Sequence, residues 1–430
     1  MTATPQTELR SRRQTLESSV EAGEIAEDDF EAIESFIEAY DPNNLMETPA
    51  AGETALAVGT CNIYMSRLTE AARHFSLVDA TTEDVNAYLQ EKQEGGAAEE
   101  TINGYSTAFR TFYGRLDGDV DSGDIARVKR SNGSSFDPDD VLTREEIQAM
   151  LDAADNARDR AIFALLIYTG MRNNALRTLR VGDVDLQAGT WTFNEDMDGL
   201  KDAHTNGQTR PLLGAKGPVR DWLKFHPKPD DPEAFLITAK PKYRKESDSP
   251  YEPVNGSTIR RTLQRLSENT DDSDIQEKPT HPHMMRHNFV TICKRDYELP
   301  DETVKFLIGH SAGSMVMETT YSHLSDDDHI ERAEVAAGIR DPSDDEGSFT
   351  PTACNVCGQP VEPGAKACGH CGNTFTPDAH SVQEQIDEDI KKDYRDTDPE
   401  DTEATTLLDA LDEVIQNNPE AKAELVERYT

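Results

Sequence analysis

Basic residues are scarce in this 430-residue sequence: 43 Lys and Arg stand against 83 Asp and Glu, a formal net charge of −40. Taken alone, that imbalance excludes broad electrostatic attraction to a polyanion, because an acidic surface repels phosphate. Long apolar runs are also missing. The longest, Ala161 to Tyr168, is far too short to span a bilayer. The opening residues, MTATPQTELRSRRQ, lack the apolar stretch of a secretion signal. A soluble, cytoplasmic protein with no membrane partner is therefore expected. Cysteine is rare as well, six residues in all, and without a secretion signal a disulfide framework is not expected. Cys61 and Cys293 fall in helical patterns and read as small core residues. The other four are clustered.

What is present is a lean but foldable composition, 36% hydrophobic, in a chain long enough for two or three domains. The acid is not confined to a tail but runs through stretches that otherwise read as good helices. That pattern resembles the proteins of salt-accumulating halophilic archaea. In such a cytoplasm the Debye length falls to about 3 Å at roughly 1 M salt, so long-range repulsion is screened and only local basic clusters matter. Three clusters remain: Arg127, Lys129 and Arg130; Lys240, Lys242, Arg244 and Lys245 around Tyr243; and Arg260, Arg261 and Arg265. Each reads either as a solvated face or as a contact to double-stranded DNA.

Residues 1–20 form a polar N-terminal segment. Residues 21–120 carry helical stripes, such as Phe30, Ile33, Phe36 and Ile37, and Val85, Tyr88 and Leu89 after a cap-like Thr82, which predict an all-α domain. Residues 121–140, rich in Gly, Ser and Asp around the first basic cluster, read as a linker. In residues 141–340, Thr143 and Glu146 form a capping box, and an apolar helix from Asp159 stops at Gly170. Two β-like runs follow, Thr190 to Phe193 and Thr209 to Leu213, spaced as a hairpin. Helical patterns return at 256–267, 283–296 and 301–308. The predicted class is α+β, mainly helical with a small antiparallel sheet. Residues 350–376 hold the clustered cysteines. Residues 377–430 are an acidic tail ending in an amphipathic helix with Leu407, Leu408, Leu411, Val414 and Ile415, which reads either as a modestly stable tail or as a surface for docking on a partner subunit.

Cleaving DNA without a metal needs rigid cations around a phosphate that gains charge, an in-line nucleophile and a proton donor for the leaving oxygen. Four short stretches offer such parts. Tyr168-Thr-Gly-Met-Arg172 places an Arg just past a helix-ending Gly. His283 and Arg286, three apart at a helix start, share one side of that helix. Leu307-Ile-Gly-His310 puts a His after a Gly at a helix end, and Thr320-Tyr321-Ser-His supplies a tyrosine. Taken singly, each His also reads as a cap or core residue, and Tyr321 as a half-buried aromatic.

The four motifs in this order resemble the catalytic domain of tyrosine recombinases (integrases), and the leading helical domain resembles their core-binding domain. The resemblance covers about residues 20–335. It implies a site-specific DNA recombinase acting through a 3′-phosphotyrosine, as a tetramer on two duplexes. By that resemblance Arg172 and Arg286 clamp the scissile phosphate, His283 assists deprotonation of Tyr321, and His310 hydrogen-bonds a phosphate oxygen. Lys201, between the two β-like runs, stands where the family keeps its general acid, or is an ordinary exposed Lys. The covalent link conserves bond energy, so the chemistry needs no cofactor. Three departures stand out. Ala175 occupies the position where the family usually has an acid, His310 and Tyr321 are eleven apart, and the hairpin lacks a Gly-Lys-Gly signature. They leave open a catalytically weakened relative that only binds or bridges DNA. A type IB topoisomerase-like activity shares the same chemistry, and a regulator that cleaves nothing, built around the clustered cysteines, would make the order of the four motifs accidental.

Cys354-x-x-Cys357, ten residues, then Cys368-x-x-Cys371 supplies four thiolates in two knuckles, each followed by a Gly where a tight turn needs one. Four sulfurs at tetrahedral range suit Zn²⁺, and a closed shell indicates a structural rather than catalytic ion. The module resembles a zinc ribbon. His370 reads as a bystander.

Overall fold

The structure, a computed structural model, describes residues 5–42, 55–116, 118–128, 140–194, 208–243, 250–297, 299–311, 349–362, 364–397 and 402–429. The chain divides into two compact units, Ala3–Gly133 and Ser134–Thr430, each with a hydrophobic core of its own.

The first unit is helical: α1 (Pro5–Glu21), α2 (Glu27–Tyr40), α3 (Val58–Ala72), α4 (Thr82–Glu94) and α5 (Glu99–Tyr113). Its centre is aromatic, with Phe36 edge-on to Phe112 and Phe109 among Tyr88, Tyr105 and Tyr113. Composition set residues 1–20 aside as a polar lead-in, yet Pro5–Glu21 is a helix packed on α3. Leu9 and Leu16, seven apart, fall on one face and are both buried. The cap of α4 is Thr81, not Thr82: its hydroxyl and Asp84 form a reciprocal capping box. The described part of the expected linker also packs here. Ile125 is buried, and Arg110 donates to the carbonyls of Ile125 (2.6 Å) and Gly123 (2.8 Å).

In the second unit come α6 (Arg144–Asp152), α7 (Ala157–Thr169), α8 (Asn173–Thr178), β1 (Val184–Asp185), β2 (Thr190–Trp191), β3 (Arg210–Pro211), α9 (Lys216–Leu223), α10 (Gly256–Glu268), α11 (Ser273–Glu277), α12 (Pro282–Arg295) and α13 (Asp301–Ile308). The strands form one antiparallel sheet in sequence order, with Val184 opposite Trp191 and Thr190 opposite Pro211. The described chain is thus mostly helical with a small three-stranded sheet.

Every residue of α7 from Ala161 to Thr169 is buried. A helix apolar on all sides belongs at the centre of a core, and α6, α8, α9, α10 and α12 all pack against this one. Its first turn is tied down by charge. Asp159, fully buried, takes hydrogen bonds from Arg158 (2.7 Å) and Asn156 (2.7 Å) and ion pairs from Lys240 (2.9 Å) and Arg265. Burial pushes the Asp159 carboxyl up, but these cations outweigh it and hold the group below its usual range. The polar ring at one end of α7 fixes where its other end lies.

Three further helices close the chain: α14 (Pro377–Asp396), α15 (Thr402–Asn417) and α16 (Pro419–Tyr429), which pack on one another. On α15 Ile415 is buried, whereas Leu407 and Leu411 are 73% and 46% exposed. Among the described residues no helix is long and apolar enough to cross a membrane.

Candidate active site and cysteine centre

Two left-handed glycines build the site. Gly170 (φ 60°) ends α7, its N–H returning to the Leu166 carbonyl (3.1 Å). A Cβ there would lie 2.4 Å from the Phe289 ring, so both the backbone conformation and the packing demand glycine. Arg172 follows two residues later as the N-cap of α8. Gly309 (φ 64°) ends α13 in the same way, and the His310 N–H returns to the Lys305 carbonyl (2.8 Å). That six-to-one bond is the Schellman arrangement, which holds the backbone of His310 one step past the helix end.

Arg286 projects from α12. It is 3% exposed, and its Nη1 donates to the Gly170 carbonyl at 2.8 Å. Arg172 Nη1 reaches the Gly309 carbonyl at 3.5 Å. The ends of α7 and α13 and the middle of α12 therefore converge, bringing Arg172, Arg286 and His310 together. Burial, then the Arg286 and Arg172 guanidiniums, push the His310 imidazole down to about 4. At neutral pH it is uncharged and able to donate one hydrogen bond.

His283 is exposed at the start of α12, and its ring meets His287 edge-on at 4.3 Å. His287 is buried and pushed to about 4 by desolvation, with His283, Arg286 and His281 adding to it. The buried imidazole of His287 and the half-buried one of His310 give a pH dependence with a definite sign. Their folded values lie below the free value of about 6.5. They contribute stability that is fully present above that pH and lost as pH falls toward about 4. Between those limits His287→Gln is expected to lose less thermal stability than the unsubstituted chain. Parallel midpoint-against-pH curves for the two would remove His287 from the account.

Residue spacing alone missed some neighbours. His281 caps α12, its Nδ1 accepting from the Met284 N–H (3.2 Å), and burial with the Arg260 charge lowers its pKa. Arg210, 1% exposed, stacks against Phe193, Phe306 and Trp191 and donates to the Phe306 carbonyl (2.9 Å), joining β3 to the helix that leads into His310. Ala175, where the resemblance expects an acid, is buried among apolar side chains. Asn173 on the same helix donates to the Gly256 carbonyl (3.4 Å), and Asn174 accepts from Arg177 (3.3 Å).

Lys201 and Tyr321 lie outside the described residues, as do Lys129, Arg130, Arg244 and Lys245. Arg127 and Lys242 are exposed, and Arg260 and Arg261 are exposed on α10. Lys240 is committed inward to Asp159.

The cysteines form a second centre within the same unit. One ligand atom from each of Cys354, Cys357, Cys368 and Cys371 lies within 4.8 Å of all the others. Cys354 and Cys371 sulfurs are 3.6 Å apart, and Cys357 and Cys368 sulfurs 3.7 Å. A tetrahedral ion with metal–sulfur bonds of about 2.3 Å needs sulfurs about 3.8 Å apart, so the donor set fits one. The two knuckles repeat one geometry. Gly358 (φ 74°) and Gly372 (φ 70°) donate to the Cys354 and Cys368 carbonyls, both at 2.7 Å. The Cys371 thiol and the Cys357 and Val356 amides stabilise the Cys354 thiolate, holding that thiol down to about 5.

Residues 140–328 match the Phage integrase family. The tyrosine recombinase XerC of Roseiflexus castenholzii is 25% identical over 319 residues, 68% of this chain and 93% of that protein. The tyrosine recombinase XerA of Thermococcus onnurineus is 25% identical over 304 residues, 69% of this chain and 94% of that one. Among solved structures, XerH recombinase bound to its palindromic difH substrate aligns with a TM-score of 0.46 at 16% identity, covering 79% of this chain and 97% of that one. Residues 140–328 are thus similar to the Phage integrase family, and the relatives named here are tyrosine recombinases.

Proposed function

We propose that this chain is a site-specific DNA recombinase that cleaves and rejoins double-stranded DNA through a 3′-phosphotyrosine at Tyr321. The observation that carries this reading is the convergence of Arg172, Arg286 and His310 where α7, α12 and α13 meet. Two guanidiniums and a neutral imidazole offer the forked donors a phosphodiester needs as its oxygens gain charge. Tyr321 attacks phosphorus, its proton passing to His283. The bond to the 5′ oxygen breaks, and Lys201 protonates that leaving oxygen. A new 5′ hydroxyl then displaces the tyrosine. The link conserves the bond energy, so no ATP is consumed.

In this reading residues 21–120 and the basic stretch 121–140 clamp the duplex, and residues 141–340 carry the chemistry. The exposed Arg127, Lys242, Arg260 and Arg261 contact the DNA backbone, and four copies assemble across two duplexes. The four cysteines hold a zinc ion that supplies structural cross-linking and takes no part in strand exchange. An acidic surface of this kind suits work at high salt.

Buried Ala175 favours a second reading, a relative with weakened turnover that binds or bridges DNA. A nicked duplex substrate, presented at high KCl to the unsubstituted chain and to Tyr321→Phe, separates the two. A denaturant-resistant protein–DNA band that disappears in the Phe variant is expected. Tight binding to the same duplex with no band from either protein would favour the second reading.

A further inference from the structure

The helix α13 ends where its carbonyls run out of partners. The last four, Lys305 to Ile308, have no helical N–H ahead of them to accept from. The turn at Gly309 supplies two donors: the His310 N–H returns to the Lys305 carbonyl (2.8 Å), and the Gly309 N–H to the Phe306 carbonyl (3.1 Å). Two arginines from other elements grip the same turn. Arg172, ahead of α8, reaches the Gly309 carbonyl (3.5 Å), and Arg210, on β3, donates from Nε to the Phe306 carbonyl (2.9 Å). A cation suits this helix end because the carbonyl end of the helix dipole is negative. A charged donor also makes the stronger hydrogen bond.

Of these two arginines only one can face a phosphate. Arg172 is half-buried, whereas Arg210 is 1% exposed. Its guanidinium carbon lies 4.6 Å from the centre of the Phe193 ring and 4.8 Å from that of Phe306. Trp191, its partner across the β2–β3 pair, adds a third ring at 5.9 Å, and Nη1 donates to the Gln208 carbonyl (3.1 Å). Desolvation lowers the guanidinium to about 10, which leaves it charged at neutral pH. Burying a cation costs free energy unless its donors are satisfied. Moving α13 away from the sheet would take the Phe306 carbonyl and the Phe306 ring from Arg210 together. The buried charge therefore resists any shift of that helix end.

We propose that Arg210 is a positioning residue for His310, tying the last turn of α13 to the sheet so that the imidazole stays beside Arg172 and Arg286. Its part in strand cleavage rests on the recombinase reading given above. Arg210 touches no substrate in this arrangement and acts through the helix end it holds.

The test compares the full-length chain with Arg210→Met, each with and without His310→Ala. On a nicked duplex Arg210→Met should form covalent adduct about tenfold more slowly, within the loss that a small misplacement of a catalytic group causes. In the His310→Ala background the same substitution should cost less than about threefold, because effects that run through one group do not add. A loss of about tenfold in both backgrounds, or an unchanged rate when His310 is present, overturns the positioning role. Arg210→Lys keeps the charge and should lose less than the Met variant, and it carries the same comparison if Arg210→Met does not fold. A second measurement needs no DNA. The His310 ring signal in NMR, identified by its loss in His310→Ala, should titrate at about 4 in the unsubstituted chain. In Arg210→Met it should move toward the free value of about 6.5, as the ring leaves the two guanidiniums. A titration that the substitution leaves unchanged overturns the inference, whether or not adduct forms. A shifted titration, in a chain that binds the duplex but forms no adduct, upholds the positioning of His310 and overturns only the recombinase reading.

Discussion

Arg286→Lys is expected to lower the single-turnover rate of covalent adduct formation on a nicked duplex by roughly 10²–10³-fold, the usual cost of removing one preorganised donor from a developing oxyanion. The substitution preserves charge but not shape. Arg286 is buried with one arm of its guanidinium anchored to the Gly170 carbonyl at 2.8 Å. That anchor orients the whole planar group, so its other donors are set before any phosphate arrives. A lysine ammonium is a point charge on a flexible stem and cannot keep the anchor and present a fork together. Duplex affinity should change only a few-fold, because one phosphate contact among many is altered. A cleavage rate within about threefold of the unsubstituted chain, with the thermal midpoint retained, would remove Arg286 from the site.

Gly217→Ala should destabilise the second unit by about 1–3 kcal/mol, the cost of overpacking a close contact. The sign makes this a sharp test. In an exposed helix the same change gains about 1 kcal/mol, since glycine is the poorer helix former. Here the new Cβ would stand 1.7 Å from a backbone oxygen of Asn355, and no rotamer change moves a carbonyl. Either α9 bends or the cysteine module lifts away, taking the Asn355 bonds to Gly214 and Tyr168 with it. Denaturant unfolding measures the loss, and proteolysis around residues 349–376 locates it. A neutral or stabilised Gly217→Ala would mean that the knuckle and α9 do not touch in solution.

Much of the site was legible because its determinants are local. Glycines before Arg172 and His310 announce helix ends, and both adopt the left-handed conformation that ends α7 and α13. The Thr143 and Glu146 capping box and the two cysteine knuckles likewise depend on residues only a few positions apart. Other expectations went astray where long-range partners decide. Lys240 reads as part of a basic patch, but its charge goes to Asp159, which nothing near Lys240 in the chain reveals. His281 went unnoticed as a cap because histidine is not among the favoured capping residues. Residues 1–20 read as a polar segment, and the two leucines of Pro5–Glu21 are buried because α3 offers a face.

By itself, then, the sequence determined most of the helices of the second unit, the Thr143 and Glu146 capping box, the short sheet, the clustering of the four cysteines and the order of the candidate catalytic residues. Most of these follow from spacing within one or two turns of chain. Only the tertiary structure decided that Arg172, Arg286 and His310 meet, that Arg210 joins the sheet to α13, and that the cysteine module is seated on α9 and Tyr168. These contacts join residues far apart in the chain. Their geometry comes from how buried helices pack around α7, which no local pattern encodes.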